Sequence, residues 1–445
     1  MRKLPDGWLG FAPERAGNMT DNTGAEAQQL PGRSLLEPEI QESPFEFYDA
    51  IREQAPAYRD PDAGFWVISR YDDIRRIVTD PQTFSSSATV ELARDAVDPE
   101  RAAMARELYR SKGWEPAPTL SLQDDPEHRQ NRALFTSALR AGKVRELDPF
   151  IRQTAFDLVD KFRAAGACDI VEELAVPLPL IAICSQVGVP IEDIWKIKGW
   201  TDAWVKRFSM MQSLEEERDS IEQEIEFQHY FRPIVERLQD RPDGSLLSDL
   251  VNIRKPDGSR LSYAQIVSHL LADLFVGGSE TSTNAIAEGV LLLCRDERAC
   301  ATLQGDLDRY LPTFIEEVLR LQSPVQGLYR VTTRDVEIGG QGIRAGSLLN
   351  LRFAAANRDD AQFACPAHLD LERGNAGSHI AFGSGIHHCV GAPLARREMH
   401  WAFEALLSGV RNLRLAKGEP EPSHWPGLML RALRKLPVEF DPVEA

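Results

Sequence analysis

The chain has 445 residues, 43% hydrophobic and 27% charged, enough for a large core and by length alone for two or three domains. With 51 basic against 68 acidic residues the formal charge is −17, which argues against a general nucleic-acid role. Six cysteines with no paired CxxC spacing suit a reducing compartment and argue against a disulfide framework or a zinc site.

Residues 1–43 begin polar, with no apolar centre for a signal peptide, and read as a flexible arm ahead of a single domain over 44–445. No stretch approaches 18 consecutive apolar residues, so no membrane span is expected and the location expected is cytoplasmic. Pro44-Phe45-Glu46-Phe47-Tyr48 opens a helix to about Gln54, Phe65–Ile68 is a short strand, and Tyr71–Val78 a second short helix. Phe84–Leu122 is long and irregular in period, with a breaker cluster at Trp114–Pro118, and a loop of that length is often functional. Asp125–Ala141 and Val144–Ala164 read as helices, Leu174–Val189 as an apolar segment broken by Pro177 and Pro179, Trp195–Met211 as aromatic-rich, and Leu214–Gln239 as a surface helix. Ser262-x-x-Gln265 matches a capping box and opens a helix to about Cys294 whose centre is apolar nearly all round, and so buried. Strand-like stretches occupy Tyr329–Phe353 and Leu413–Phe440. The fold class is mainly α with small β-sheets.

Two stretches carry chemistry. In the buried helix, Gly277 and Gly278 are adjacent, each costing on the order of 1 kcal/mol relative to alanine, so the space they open is expected to be used, either as a notch for a diatomic ligand or as a close helix crossing. Glu280 and Thr281 follow directly, and a carboxylate in so apolar a helix needs a partner. Further on, Phe382-Gly383-Ser384-Gly385-Ile386-His387-His388-Cys389-Val390-Gly391 places a cysteine in a glycine-rich loop, and Ala392-Pro393 starts a helix just after it. A thiolate at a helix N-terminus has a lowered pKa and is a competent metal ligand; an isolated cysteine is otherwise usually buried structure.

Phe-x-x-Gly-x-His-x-Cys-x-Gly followed by Leu-Ala-Arg resembles the haem-binding signature of the cytochrome P-450 family, and the resemblance runs from about Pro44 to Phe440. It implies haem b between the central helix and the cysteine loop, with Cys389 as the iron ligand and Phe382, Gly383 and Gly278 against the cofactor. Gly277–Ser282 matches the family's (Ala/Gly)-Gly-x-(Asp/Glu)-Thr-(Thr/Ser), in which the alcohol, Thr281 here, supports dioxygen and the acid, Glu280 here, gates protons. His128 and Arg132, four apart on one helix face, with Arg330 and His387, match the family's propionate partners. Glu317 and Arg320 match its buried Glu-x-x-Arg pair, and by spacing His368 stands where the third member is usually arginine. His388 replaces a residue that is usually apolar or aromatic.

The resemblance further implies a monooxygenase that takes a hydrophobic small molecule (terpenoid, steroid, fatty acyl or aromatic) and dioxygen, with electrons from NAD(P)H through a separate ferredoxin and ferredoxin reductase. Peroxide-driven peroxygenase or isomerase chemistry is the alternative within enzymes, and gas sensing the alternative outside them; the complete Glu280–Thr281 motif argues for dioxygen use. The family's substrate-facing stretches fall at Phe84–Pro118, Phe208–Met211, Leu274–Val276, Val325–Leu328 and Leu428–Leu430, giving Phe275, Val276, Gly277, Val325, Leu328 and Met429 as candidate pocket residues. Arg129, Arg140, Lys143, Arg145, Arg396 and Arg397 form a candidate basic docking face for an acidic ferredoxin.

Overall fold

The computed structural model describes residues 32–87, 99–138, 141–208, 211–255 and 258–443. Among the described residues helices predominate, and ten short strands form three small sheets. The largest joins β1 (Ala57–Arg59), β2 (Trp66–Ile68), β3 (Phe84–Ser85), β5 (Leu328–Thr332) and β8 (Leu348–Leu351) in the order β1-β2-β8-β5-β3. Only its β2–β8 pair is parallel, with Val67 opposite Asn350; the others are antiparallel, with Arg330 opposite Leu349 in the β5–β8 pair. β4 (Ala167–Asp169), β10 (Pro437–Pro442) and β9 (Val410–Leu415) form the second sheet, and β6 (Val336–Ile338) with β7 (Gln341–Ile343) a hairpin.

The arm ends earlier than the sequence reading has it. Residues 1–31 lie outside the described residues, but from Ser34 the chain is packed: Leu35 and Ile40 are buried, Ser34 Oγ donates to Asp60 at 2.7 Å, and Pro38–Glu42 is helical. Leu35, Leu36 and Ile40 are too few among polar residues to mark a period, so local pattern could not reveal this docking. The irregular stretch after Phe84 also contains a helix, Pro99–Lys112, lying on Leu214–Asp240 through Leu108, Tyr109, Ile221 and Ile225. Arg207, Tyr109 and Glu224 tie the two elements together by hydrogen bonds, Arg207 Nη1 reaching Glu224 Oε1 at 2.6 Å.

The central helix runs from Tyr263 to Arg295, and the Ser262–Gln265 capping box is complete: Ser262 Oγ accepts from Gln265 N at 3.2 Å and Gln265 Oε1 from Ser262 N at 3.0 Å. Its middle, His269–Glu280, is wound as a π-helix, a wider turn usually confined to short functional bulges. Two apolar clusters flank it. One gathers the helices Ala141–Phe162, Leu307–Gln322 and Ala392–Gly409 around its second half; the other gathers Pro177–Val187, Ile194–Phe208 and Leu214–Asp240 around its first. No described helix is long and apolar enough to cross a membrane.

Candidate active site

Between the two clusters lies a cavity of about 280 Å³, reached by the central helix from one side and the cysteine loop from another. Cys389 N–H donates to Phe382 O at 2.8 Å, closing the loop, and Ala392–Gly409 begins just after it with Pro393 in its first turn. Gly383 and Gly385 adopt φ of +67° and +68°, and a Cβ on Gly385 would lie 2.5 Å from Val78 O, so only glycine fits there. The sulfur opens onto the cavity. Helix position alone predicts a lowered thiol pKa; in the structure burial outweighs the Gly391 and Ala392 amides and the Arg132 and Arg396 charges, and the pKa is raised.

Four cationic or hydrogen-bonding side chains named from the sequence meet at one end of this cavity. Arg330 is 4% exposed, and neither it nor Arg132 has a carboxylate at ion-pair distance among the described residues. Burial lowers the Arg330 pKa to about 10. Arg132 donates to the His388 carbonyl. His128 lies against His387, with ring centroids 4.2 Å apart and planes tilted by 46°, and its buried Nε2 has no partner among the described residues. His387 Nε2 lies 3.0 Å from Ser86 Oγ, and burial, then Arg330, push its pKa down to about 3. Uncompensated guanidinium charge beside an orphaned imidazole nitrogen suits an anionic group entering from the cavity. A flat cofactor with a carboxylate edge, its face over the sulfur and the glycine cradle, fits these residues.

Thr281 lines the cavity and donates to Gly277 O at 3.1 Å. Glu280 turns the other way, toward Ile194–Phe208, where Oε1 accepts from Thr201 Oγ1 at 2.8 Å and lies 3.3 Å from Lys198 Nζ. Burial raises the Glu280 pKa against the opposing charge of Lys198. Gly278 serves both uses expected of the glycine pair: it lines the cavity, and a Cβ there would meet the Ile183 side chain at 3.4 Å across the crossing with Pro177–Val187. Val276, Gly277, Val325, Leu328 and Met429 line the cavity, with Leu120, Ile183, Trp204 and Phe353 as walls that pattern did not single out.

Phe275 is a correction. It is fully buried among Phe227 and Phe231, at centroid distances of 5.9 and 5.7 Å, and faces the core rather than the cavity. On so uniformly apolar a helix, periodicity cannot separate the two faces.

His368 is another. The third member of the buried network is Arg373, whose Nε lies 3.0 Å from Glu317 Oε1, while Arg320 Nη2 donates to Glu317 Oε2 at 2.9 Å. The His368 side chain is exposed, and only its backbone oxygen takes part, accepting from Arg320 and Arg373 at 3.2 Å each. A loop of turns between Cys365 and Gly374 lets a residue five positions later swing in, so counting from the Cys365-Pro366 dipeptide selects the wrong side chain.

The basic face is largely neutralised. Arg129 pairs with Asp125 at 2.6 Å, Lys143 with Glu146 at 3.0 Å, Arg396 with Glu316 at 2.6 Å and Arg397 with Asp148 at 2.9 Å. Arg140 lies outside the described residues.

Two carboxyls escaped the sequence reading. Asp273 lines the cavity, and so does Glu398 on the helix after Cys389. Glu398 is 0% exposed, and burial, opposed only by Ser282, pushes its pKa up to about 8 from an ordinary 4.5. The native state holds this proton where the unfolded chain has released it, so stability falls as pH rises from about 4.5 to about 8. Glu398→Gln should therefore be more stable than the parent by about 1–3 kcal/mol at pH 8, with the gain gone near pH 4.5, in paired thermal melts. Equal melting at both pH values would contradict a raised Glu398.

Comparison with known proteins follows this geometry. The family signature described as Cytochrome P450 matches residues 195–435, more than half the chain. The chain belongs to the cytochrome P450 family. It is 32% identical over 409 residues to the vitamin D(3) 25-hydroxylase of Pseudonocardia autotrophica, covering 91% of this chain and 95% of that one. It is 30% identical over 420 residues to cytochrome P450 109 of Bacillus spizizenii, covering 93% and 96%. The solved structure of cytochrome P450 CYP109Q5 from Chondromyces apiculatus superposes with a TM-score of 0.78 at 31% identity, covering 93% of this chain and 99% of that one. CYP109E1 from Bacillus megaterium, solved with testosterone, gives 0.74 at 28% identity, covering 89% and 99%. The protein is thus a P450 monooxygenase of bacterial type with the P450 fold, and membership implies a haem-thiolate cofactor.

Proposed function

We propose that this P450 hydroxylates or epoxidises a hydrophobic small molecule with dioxygen, at haem b held by Cys389. The observation that carries the reading is the convergence on one cavity of the Cys389 sulfur, the Thr281 hydroxyl and the uncompensated set Arg132, Arg330, His128 and His387. When bound, the haem supplies dioxygen activation, one oxygen atom going to a C–H or C=C bond and the other leaving as water.

The remaining roles belong to the chain. Arg132, Arg330, His128 and His387 would hold the propionates, and Phe382, Gly383 and Gly278 would let the ring sit close. Thr281 donates its hydroxyl proton to Gly277 O, which leaves the lone pairs of its oxygen as an acceptor for a group in the cavity. Glu280 stands one residue away as the proton source; Lys198 and Thr201 hold it back from the cavity, so delivery requires the carboxyl to leave them. The catalytic domain takes in 44–445 together with the packed segment from Ser34. Two electrons come singly from NAD(P)H through a ferredoxin and its reductase, docking on the face that carries Arg129 and Arg396. Relatives named as a vitamin D(3) 25-hydroxylase and a methyl-branched lipid omega-hydroxylase support an apolar substrate of steroid, terpenoid or fatty acyl kind, as does the largely apolar wall.

The test is Thr281→Ala. The variant should keep its haem and its substrate affinity but yield about tenfold or more less product per NAD(P)H, the missing electrons appearing as hydrogen peroxide. Fully coupled turnover in the variant would remove Thr281 from the proton path.

A further inference from the structure

We propose that Asp273 is a substrate anchor: it accepts a hydrogen bond from an O–H or N–H donor at the end of the substrate remote from the oxidised carbon. The inference rests on the function proposed above and narrows its substrate class from hydrophobic to amphipathic.

Asp273, Gly277, Thr281 and Ala285 recur every four residues along the central helix, and all four line the cavity. Asp273 thus stands eight residues from Thr281, at most roughly 12 Å along the axis at about 1.5 Å per residue. Its surroundings are apolar: Leu120, Leu274 and Val276 share the wall. A carboxylate there is expensive unless partnered, and its partnering is lopsided. His269 Nδ1 lies 2.6 Å from Oδ2, and Leu120 N–H donates to the same oxygen at 3.3 Å. Oδ1 accepts no hydrogen bond among the described residues. The His269 ring is fully buried against Phe135 at a centroid distance of 5.4 Å, and its Nε2 has no partner among the described residues. A buried imidazole therefore fixes one oxygen of a carboxylate whose other oxygen is left for whatever fills the cavity. A purely structural tie between the central helix and Leu120 would need only the first oxygen and no position in the cavity wall.

The acceptor selects for a donor, neutral or cationic. A charge-assisted hydrogen bond made only by the substrate is worth about ten- to a hundredfold in affinity. Haem-loaded enzyme is titrated with dodecylamine, 1-dodecanol and tridecane, and with a steroid carrying a hydroxyl, an amine or a methyl at one end. The readout is the absorption shift that reports displacement of water from the metal. The donor-bearing member of at least one scaffold should bind about tenfold or more tighter than its methyl counterpart. Asp273→Asn should erase the preference for the amine, reduce that for the alcohol less, and leave affinity for the methyl member unchanged. If Asp273→Asn loads haem poorly, Asp273→Ser carries the same comparison.

An amine preference that exceeds the alcohol preference identifies a cationic substrate; equal preferences identify a neutral one. An equal ranking of all members in the parent enzyme overturns the proposal. So does an unchanged preference in the variants, or a nitrogen-ligation spectrum showing the amine at the metal instead of at Asp273. A carbon monoxide difference spectrum lacking the thiolate signature would instead sink the reading of Cys389, leaving the two failures distinct.

Discussion

Cys389→Ser should abolish the long-wavelength band of the reduced carbon monoxide complex and bring product formation to background, the largest effect expected of any single substitution here. The loop that carries the residue does not depend on the sulfur. Its closing bond is the backbone N–H of residue 389 to Phe382 O, and its path is set by Gly383 and Gly385 at positive φ, all of which survive the change. Serine also fits the space, so the fold and the cavity are expected to persist. What is lost is a group that can ionise. Even the thiol is raised by burial, and a hydroxyl, far weaker as an acid, would not ionise there at all. Arg132, Arg330, His128 and His387 are untouched, so porphyrin should remain, bound without its thiolate ligand. The variant is therefore read by spectrum and porphyrin content together: porphyrin retained with the thiolate band gone is the expected pair. A retained band would show that another residue ligates the iron.

The sequence carried the site better than its surroundings, for a physical reason. The cysteine loop needs glycine at 385, where a Cβ would lie 2.5 Å from Val78 O, and that demand shows in the sequence as a glycine four residues before Cys389. Gly277, Gly278 and Thr281, and His128 with Arg132, are likewise short local patterns, and all of them line the one cavity. Side chains whose job depends on which way a loop folds leave no such mark. Arg373 reaches Glu317 only because the turns between Cys365 and Gly374 bring it there, and Asp273 enters the cavity through the winding of the π-helix. Phe275 and Val276 are adjacent apolar residues on one buried helix, yet one packs among Phe227 and Phe231 and the other lines the cavity. Helix boundaries were legible where a cap spells them out, as at Ser262–Gln265, and obscure at Pro99–Lys112, whose apolar residues are too few to mark a face.

Arg373→Ala should destabilise the protein by about 3–5 kcal/mol, while His368→Ala changes stability by less than about 1 kcal/mol. Glu317 and Arg320 are both 0% exposed, and Glu317 answers to two guanidinium groups, Arg320 on its own helix and Arg373 from the turns before the cysteine loop. Asp370 N–H completes its shell at 3.0 Å. Removing Arg373 takes away the second of two cations on Glu317, which keeps only Arg320, and leaves the carbonyls that Arg373 serves without a donor in a site with no access to water, a far larger cost than losing a surface pair. Arg373 also donates to Ala364 O at 2.7 Å, so its loss loosens the turns that position the following loop, and haem retention should fall with stability. Lysine cannot rescue fully, because one ammonium does not span Glu317 and the Ala364 carbonyl as the guanidinium fork does. His368 contributes only its backbone oxygen, which alanine keeps. Denaturant unfolding and porphyrin content of the two variants decide between the residues; a His368→Ala enzyme that loses more than Arg373→Ala would overturn the assignment. Pairing Arg373→Ala with Glu317→Gln should cost less than the sum of the single changes, since each single change already breaks the Arg373–Glu317 contact and the sum counts it twice.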